Sequence, residues 1–174
     1  MIKRRQAEEA LQQAEAKYRS IFENEIEGIF QTTPDGRYLN ANPALARIYG
    51  YSSAEELIAD LTDIEHQLYV NPDSRKEFIR QMQAQGTVSA FESQVYRKDG
   101  QIIWISENAR SVYSASGELL YFEGTVEDIT ERRRSQEALQ KSEEALANRE
   151  RYLAALVEVQ QQLLTNDSDE EMYG

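Results

Sequence analysis

Proline and glycine are confined to the middle of this chain, and that confinement divides it into parts that must fold differently. Pro34, Pro43 and Pro72 are its only prolines, and seven of its eight glycines lie between residues 28 and 124, the eighth being Gly174. Proline breaks helix interiors and glycine weakens them. Residues 1–24 and 131–164, free of both, read as helices on either side of a middle, residues 25–130, that is punctuated like a small globular domain. Residues 165–174 form an acidic tail, expected to be disordered or to begin a following module.

The flanks carry a heptad pattern. Ala7, Leu11, Ala14, Tyr18 and Ile21 follow a 4-3-4-3 spacing that keeps them on one stripe of a helix. Leu139, Leu146, Leu153 and Gln160 recur every seven residues, with Ser135, Ser142, Arg149, Leu156 and Leu163 at the alternate seam position. A repeat of 3.5 residues held this long is what a two-stranded coiled coil requires. A single solvated helix is the alternative, because Ser and Arg weaken the start of the seam.

The middle has clear punctuation. Asn42-Pro43 with Gly50, and Asn71-Pro72 with Gly86, each place a cap, a first-turn proline and a glycine stop around a helix. Between them Ser52 and Glu55 stand at capping-box spacing for a helix through Ile58. Residues 28–32 and 37–40 flank Thr33-Pro34-Asp35-Gly36 as a hairpin. Residues 88–97, 102–113 and 119–126, joined at Asp99-Gly100 and Ser116-Gly117, make a meander. The expected fold class is α+β: one five-stranded antiparallel sheet with short helices on one face. Ile102 to Ile105 and Leu119 to Phe122 are apolar at both parities, so the outer face also needs cover, from the Tyr18, Ile21 and Phe22 helix or from a partner subunit.

Composition excludes several classes. The formal net charge of -12 speaks against nucleic acid and anionic membrane surfaces as partners. There is no cysteine, hence no disulfide framework, thiolate metal site or cysteine nucleophile. The longest apolar run, Leu153 to Val157, is five residues, far short of the ~20 needed to span a bilayer. No apolar segment follows the basic start, so no secretory signal is expected. Adjacent carboxylates such as Glu55-Glu56 and Glu143-Glu144 diverge on a helix, and no phosphate loop or nucleophile elbow is present, so no catalytic residues are assigned.

The series Glu27-Gly28-Ile29-Phe30, Asp35-Gly36, Asn42-Pro43-Ala44, Gly50-Tyr51, Lys98-Asp99-Gly100 with Trp104, and Asp128-Ile129-Thr130-Glu131-Arg132 resembles a PAS domain over about residues 18–130. The resemblance implies a sensory or dimerising module with a small cavity between sheet and helices. It also implies a fragment of a longer bacterial signalling protein, such as a sensor histidine kinase or nucleotide cyclase of a two-component or related system, with a covalently linked output domain. The expected unit is a cytoplasmic homodimer, joined through the flanking helices (Leu11, Tyr18, Ile21, Leu139, Leu146, Leu153, Leu156) and the outer sheet face. A passive dimerisation and spacer module with a filled core is the alternative reading.

Asp128 stands at capping-box spacing from Glu131 for the helix that follows the last strand, Thr130 is the alternative cap, and Asp128 is also placed to pair with Arg132. The resemblance adds that Asp128, Ile129, Thr130 and Arg132 relay strain from sheet to helix. Ile29, Phe30, Leu39, Ile48, Tyr49, Leu57, Ile58, Phe78, Ile79, Met82 and Phe91 either line a small-molecule pocket or fill the core, with Asn40, Tyr49 and Tyr121 as polar handles. His66, the only histidine, stands in a polar segment beside carboxylates and reads as a surface residue, so no haem is expected. A covalent flavin adduct needs a cysteine that is absent. No metal site is assigned.

Overall fold

The computed structural model describes residues 2–171, and side chains for residues 3–162. The chain divides into two units after Thr130. The first begins with helix α1 (Ile2–Asn24) and continues through β1 (Gly28–Thr32), β2 (Tyr38–Ala41), α2 (Pro43–Tyr49), α3 (Ala54–Asp60), α4 (Ile64–Gln67), α5 (Pro72–Gln85), β3 (Thr87–Tyr96), β4 (Ile102–Tyr113) and β5 (Leu119–Asp128). The long α6 (Thr130–Glu171) follows.

The five strands form one antiparallel sheet in the order β2-β1-β5-β4-β3. The first hairpin and the last meander therefore meet at β1 and β5, which makes the last strand the central one with β1 beside it. Across the sheet Ala41, Phe30, Gly124 and Ala109 lie in one row. Glu107 sits opposite Phe91, beyond a bulge between Val88 and Phe91. At that bulge Ala90 has φ 50°, and its N–H donates to Asn108 Oδ1 at 2.9 Å.

The predicted caps form for local reasons. Asn42 accepts from Leu45 N at 2.9 Å to start α2, and Asn71 accepts from Asp73 N at 3.0 Å to start α5. Gly50 and Gly86 end those helices in the left-handed conformation. The α3 box is shifted by one residue from the expected pair. Ser53 accepts from Glu56 N, while Glu56 accepts from Ser52 N, and the helix runs to Asp60. The one-turn α4, capped by Asp63, was not anticipated; four residues are too few for a periodic signal.

The core lies between the sheet and α2–α5. Phe30, Tyr49, Leu57, Phe78 and Met82 are buried in it, with Ile48, Ile58, Ile79 and Phe91 packed partly against it. Phe78 meets Phe91 and Phe122 edge-on at 5.8 and 6.3 Å. Two residues expected there lie elsewhere. Leu39 is 51% exposed, because β1 and β2 slip register between Gln31 and Thr32 and leave it at the irregularity. Ile29 has the opposite parity to buried Phe30 and borders the outer face.

On that outer face, Ile29, Gln31, Asn108, Arg110, Glu123 and Thr125 line an open cleft of about 530 Å³ that Tyr18 of α1 also borders. Tyr18 stacks on Phe22 with ring centroids 5.9 Å apart. Leu11 and Ile21 of the same helix are exposed, as are Ile102, Leu119 and Leu120 on the sheet.

The second unit is helical. The 42 residues of α6, at ~1.5 Å rise each, span about 63 Å. Leu139, Leu146, Leu153 and Leu156 are all about half-exposed or more along it. The helix does not end at residue 164 as expected: it continues to Glu171 through most of the acidic tail, since nothing from Thr165 to Glu171 breaks a helix. The side chain of Leu163 and residues 172–174 lie outside the described residues.

Candidate functional site

Between the sheet and the helices the core is not purely apolar. Tyr38 of β2, Tyr49 at the end of α2, Tyr69 between α4 and α5, Arg75 of α5, Ser93 of β3 and Glu107 of β4 are each at most 7% exposed. Their positions follow from the local structure. Segment 68–70 runs along the edge strand β3: Tyr96 N donates to Leu68 O at 2.8 Å and Val70 N to Gln94 O at 3.1 Å. Tyr69 pairs across to Val95 there. Arg75, Phe78 and Met82 follow 3-4 spacing on the buried face of α5. Glu107 shares its strand face with Ile103, Ile105 and Ala109, all buried.

Electrostatics join five of these groups. The Tyr69 hydroxyl donates to Glu107 Oε2 at 2.7 Å. Burial pushes the Glu107 carboxyl above its ordinary value, opposed by that hydrogen bond and by the nearby Arg75 charge. Burial, reinforced by the Tyr38 and Glu107 charges, lifts Tyr49 well above the usual phenol range, and Tyr69 rises likewise through burial and Glu107. The phenols are therefore neutral donors at physiological pH. Tyr38 and Tyr49 influence one another, yet no hydrogen bond of ordinary geometry reaches the Tyr49 hydroxyl.

Several donors are left unmatched. Tyr49 Oη, Arg75 Nη2 and Ser93 Oγ are buried without a hydrogen-bond partner. The Arg75 guanidinium stands 5.0 Å from the Phe78 ring centroid, a cation–π contact that satisfies the charge only in part. Among the described residues no ion pair joins Arg75 to Glu107. Buried polar groups are nearly always satisfied, so an unmatched set of this kind is unusual for a core.

Of this cluster, sequence reasoning had found only Tyr49. Two signals were present: Glu107 has the parity of the buried isoleucines, and Arg75 stands on the apolar stripe of α5. Charged residues at core positions are rare enough to be informative. Tyr38 and Tyr69 carried no such mark. The other proposed handles face away. Asn40 pairs with Gln31 and accepts from Ala41 N at 3.0 Å, and Tyr121 pairs with Val112, opposite in parity to buried Phe122. The His66 side chain is at the surface with Nδ1 2.9 Å from Asp63 Oδ2.

A second site is the strand-to-helix junction. The Asp128 carboxylate accepts from Thr130 N at 2.9 Å. Ile129, 1% exposed, donates its N–H to Trp104 O at 2.9 Å. Trp104 N in turn donates to Thr130 Oγ1 at 2.9 Å. Thr130, the alternative cap, therefore bonds to the sheet instead. Its hydroxyl takes the place of the next ladder bond and ties the first residue of α6 to β4. Asp128 closes the turn within the junction, and Arg132 lies beyond it in the helical unit.

Comparison with known proteins agrees with this architecture. The PAS domain model matches residues 26–131. The chain is 29% identical over 141 residues to the sensor histidine kinase TmoS of Ectopseudomonas mendocina, an alignment covering 79% of this chain and 14% of that protein. It is 25% identical over 134 residues to the probable diguanylate cyclase DgcE of Escherichia coli, covering 75% and 12% respectively. The chain thus spans about an eighth of the length of these relatives. Among solved structures, a PAS domain from Colwellia psychrerythraea superposes with TM-score 0.57 at 24% identity, covering 67% of this chain and 97% of that one. A domain of the sensory box sensor histidine kinase/response regulator of Geobacter sulfurreducens gives TM-score 0.52 at 25% identity, covering 68% and 96%. No helix of the described residues is long and apolar enough to cross a membrane. The family match, the sheet order and the helices packed on one face agree: the chain belongs to the PAS-domain family.

Proposed function

We propose that this chain senses a small molecule in its core and relays the occupancy of that core through α6 to an output domain joined to it. The observation that carries this reading is the junction. The first residue of α6 is hydrogen-bonded to the backbone of Trp104, two residues before the core residue Ser106 and three before Glu107. A rearrangement of β4 around a ligand shifts Trp104 N, and Thr130 Oγ1 moves with it. The homology to sensory domains of a histidine kinase and a diguanylate cyclase supports the assignment.

In this reading the module works in the cytoplasm as a homodimer. The exposed Leu11 and Ile21 of α1, the outer sheet face and the leucine stripe of α6 meet their counterparts in a second copy. The chain itself binds and transmits; chemistry belongs to the output domain. Neither haem nor a covalent flavin takes part. The decisive experiment places Asp128→Ala and Thr130→Val in the longer protein that carries this module. Altered basal output and a weakened response to stimulus are expected, and output unchanged by both substitutions overturns the relay.

A further inference from the structure

We propose that Glu107 and Tyr69 form a proton switch: Glu107 takes up and releases a proton inside the folded core, and its hydrogen bond to Tyr69 passes the change to the connector between α4 and α5. This goes beyond the sensing of a small molecule and makes the proton a second input to the same core. Glu107 is 4% exposed, and its Oε2 accepts from the Tyr69 hydroxyl at 2.7 Å. Its partners across the sheet, Phe91 on β3 and Val126 on β5, are apolar. Glu92 and Glu127 stand one position along those strands and face the other side. The ionisable groups that do face Glu107 are Tyr38 of β2, Tyr49 of α2, Tyr69 and Arg75 of α5. The phenols are neutral. Among the described residues none forms an ion pair with Glu107, and the Arg75 guanidinium lies over the Phe78 ring.

A carboxylate taken out of water without a counter-ion is disfavoured against its neutral acid. Burial therefore moves the titration of Glu107 from the acid extreme toward neutrality. The bond to Tyr69 reads the result. A phenol donates to either form, but its bond to the carboxylate is about twice as strong as its bond to the neutral acid. Proton uptake loosens the tie between β4 and Tyr69, and proton release tightens it. Tyr69 is not on a free loop. Its segment is laid along the edge strand β3 by Tyr96 N to Leu68 O at 2.8 Å and Val70 N to Gln94 O at 3.1 Å. The next residue, Asn71, caps α5. A charge change on β4 thus acts on the sheet edge and on the start of α5 through one hydrogen bond.

Isotope-edited NMR of the full chain, followed from acid to neutral pH, tests this. The Glu107 carboxyl carbon should titrate with a midpoint above its ordinary value, and the amides of Val70 and Tyr96 should shift with the same midpoint. Tyr69→Phe should raise the Glu107 midpoint further, because the ionised form loses its donor, and should abolish the amide response. His66→Gln should leave both titrations as they were, since His66 is at the surface beside Asp63. The proposal is overturned by a Glu107 midpoint at or below the ordinary value, which would give control to the Arg75 charge. It is overturned equally if the two amides stay silent, if they respond as before in Tyr69→Phe, or if their response disappears in His66→Gln. Should Tyr69→Phe not fold, Glu107→Gln takes its place, and an amide response that persists there overturns the switch. So does loss of the folded spectrum before Glu107 titrates. No output domain takes part in the measurement. A failed switch with output still altered by the junction variants leaves the relay standing, and unchanged output with a working switch overturns the relay alone.

Discussion

Replacing Glu107 by Gln asks which force governs the polar core. The carboxylate is 4% exposed, accepts from the Tyr69 hydroxyl at 2.7 Å and feels the Arg75 charge. Burial dominates and raises its pKa above 4.5, the ordinary value. Because the native value is the higher one, the folded protein holds this proton where the unfolded chain has released it. The resulting stability is fully present below the ordinary value and is lost as pH rises through the native one. Each unit of separation costs about 1.4 kcal/mol at pH above both values. Gln keeps an acceptor for Tyr69 and removes the charge. It should therefore stabilise the domain at pH 7, by about the 1–3 kcal/mol seen when buried charges are replaced, a rise in Tm of roughly 4–12 °C, and flatten the slope of stability above the ordinary carboxylate value. Urea unfolding followed by the fluorescence of Trp104, the only tryptophan, measures this directly. Tyr69→Phe is the opposing control: it strips the carboxylate of its hydrogen bond, costs about 1–2 kcal/mol, and should steepen the loss with pH. A Glu107→Gln protein less stable than the original at pH 7 would refute the reasoning, because attraction to Arg75 would then outweigh desolvation.

Asn42 is fully buried and accepts from Ile29 N at 2.8 Å and Leu45 N at 2.9 Å while donating to Glu27 O at 3.0 Å. Asn42→Ala should cost about 2–4 kcal/mol in urea unfolding, and a loss under 1 kcal/mol would show that water replaces all three bonds. A Cβ at Gly124 would stand 1.9 Å from Asn108 O and 2.9 Å from Ala109 Cα, both backbone of the paired strand. Gly124→Ala should thus cost about 3 kcal/mol or more, and near-normal Tm would mean that β4 and β5 part more readily than their register implies. The double variant Leu146→Glu, Leu153→Glu alters two half-exposed stripe positions of α6. It should shift sedimentation equilibrium of the proposed dimer toward monomer with little change in the Tm of the sheet unit; a dimer unchanged by the substitutions, or an unsubstituted chain that is already monomeric, would refute pairing through α6.

What was readable in the chain follows from interactions that span few residues. Asn42-Pro43 and Asn71-Pro72 start helices because a side chain two or three positions away satisfies the first N–H groups. The turns at Asp35-Gly36, Asp99-Gly100 and Ser116-Gly117 sit where glycine supplies positive φ. The segregation of proline and glycine separated sheet domain from helices to within a few residues. The continuation of α6 through Glu171 follows from the absence of any helix breaker before that residue.

Tertiary structure alone decided facing and company. A single slip between β1 and β2 turned Leu39 out of the core, and the parity of β1 put Ile29 on the outer face. Such choices depend on which strand pairs with which, and no window of local sequence contains that. The polar cluster is the clearer case. Tyr69 and Glu107 are 38 residues apart, and Tyr38, Tyr49 and Arg75 arrive from three further elements. Each reads singly as a surface or core residue. Only the packing of helices on the sheet removes their water and leaves Arg75 and Tyr49 with unmade hydrogen bonds. Sequence determined a PAS module between helices; the fold determined that its core is charged, because desolvation is a property of the assembled layers and of no single segment.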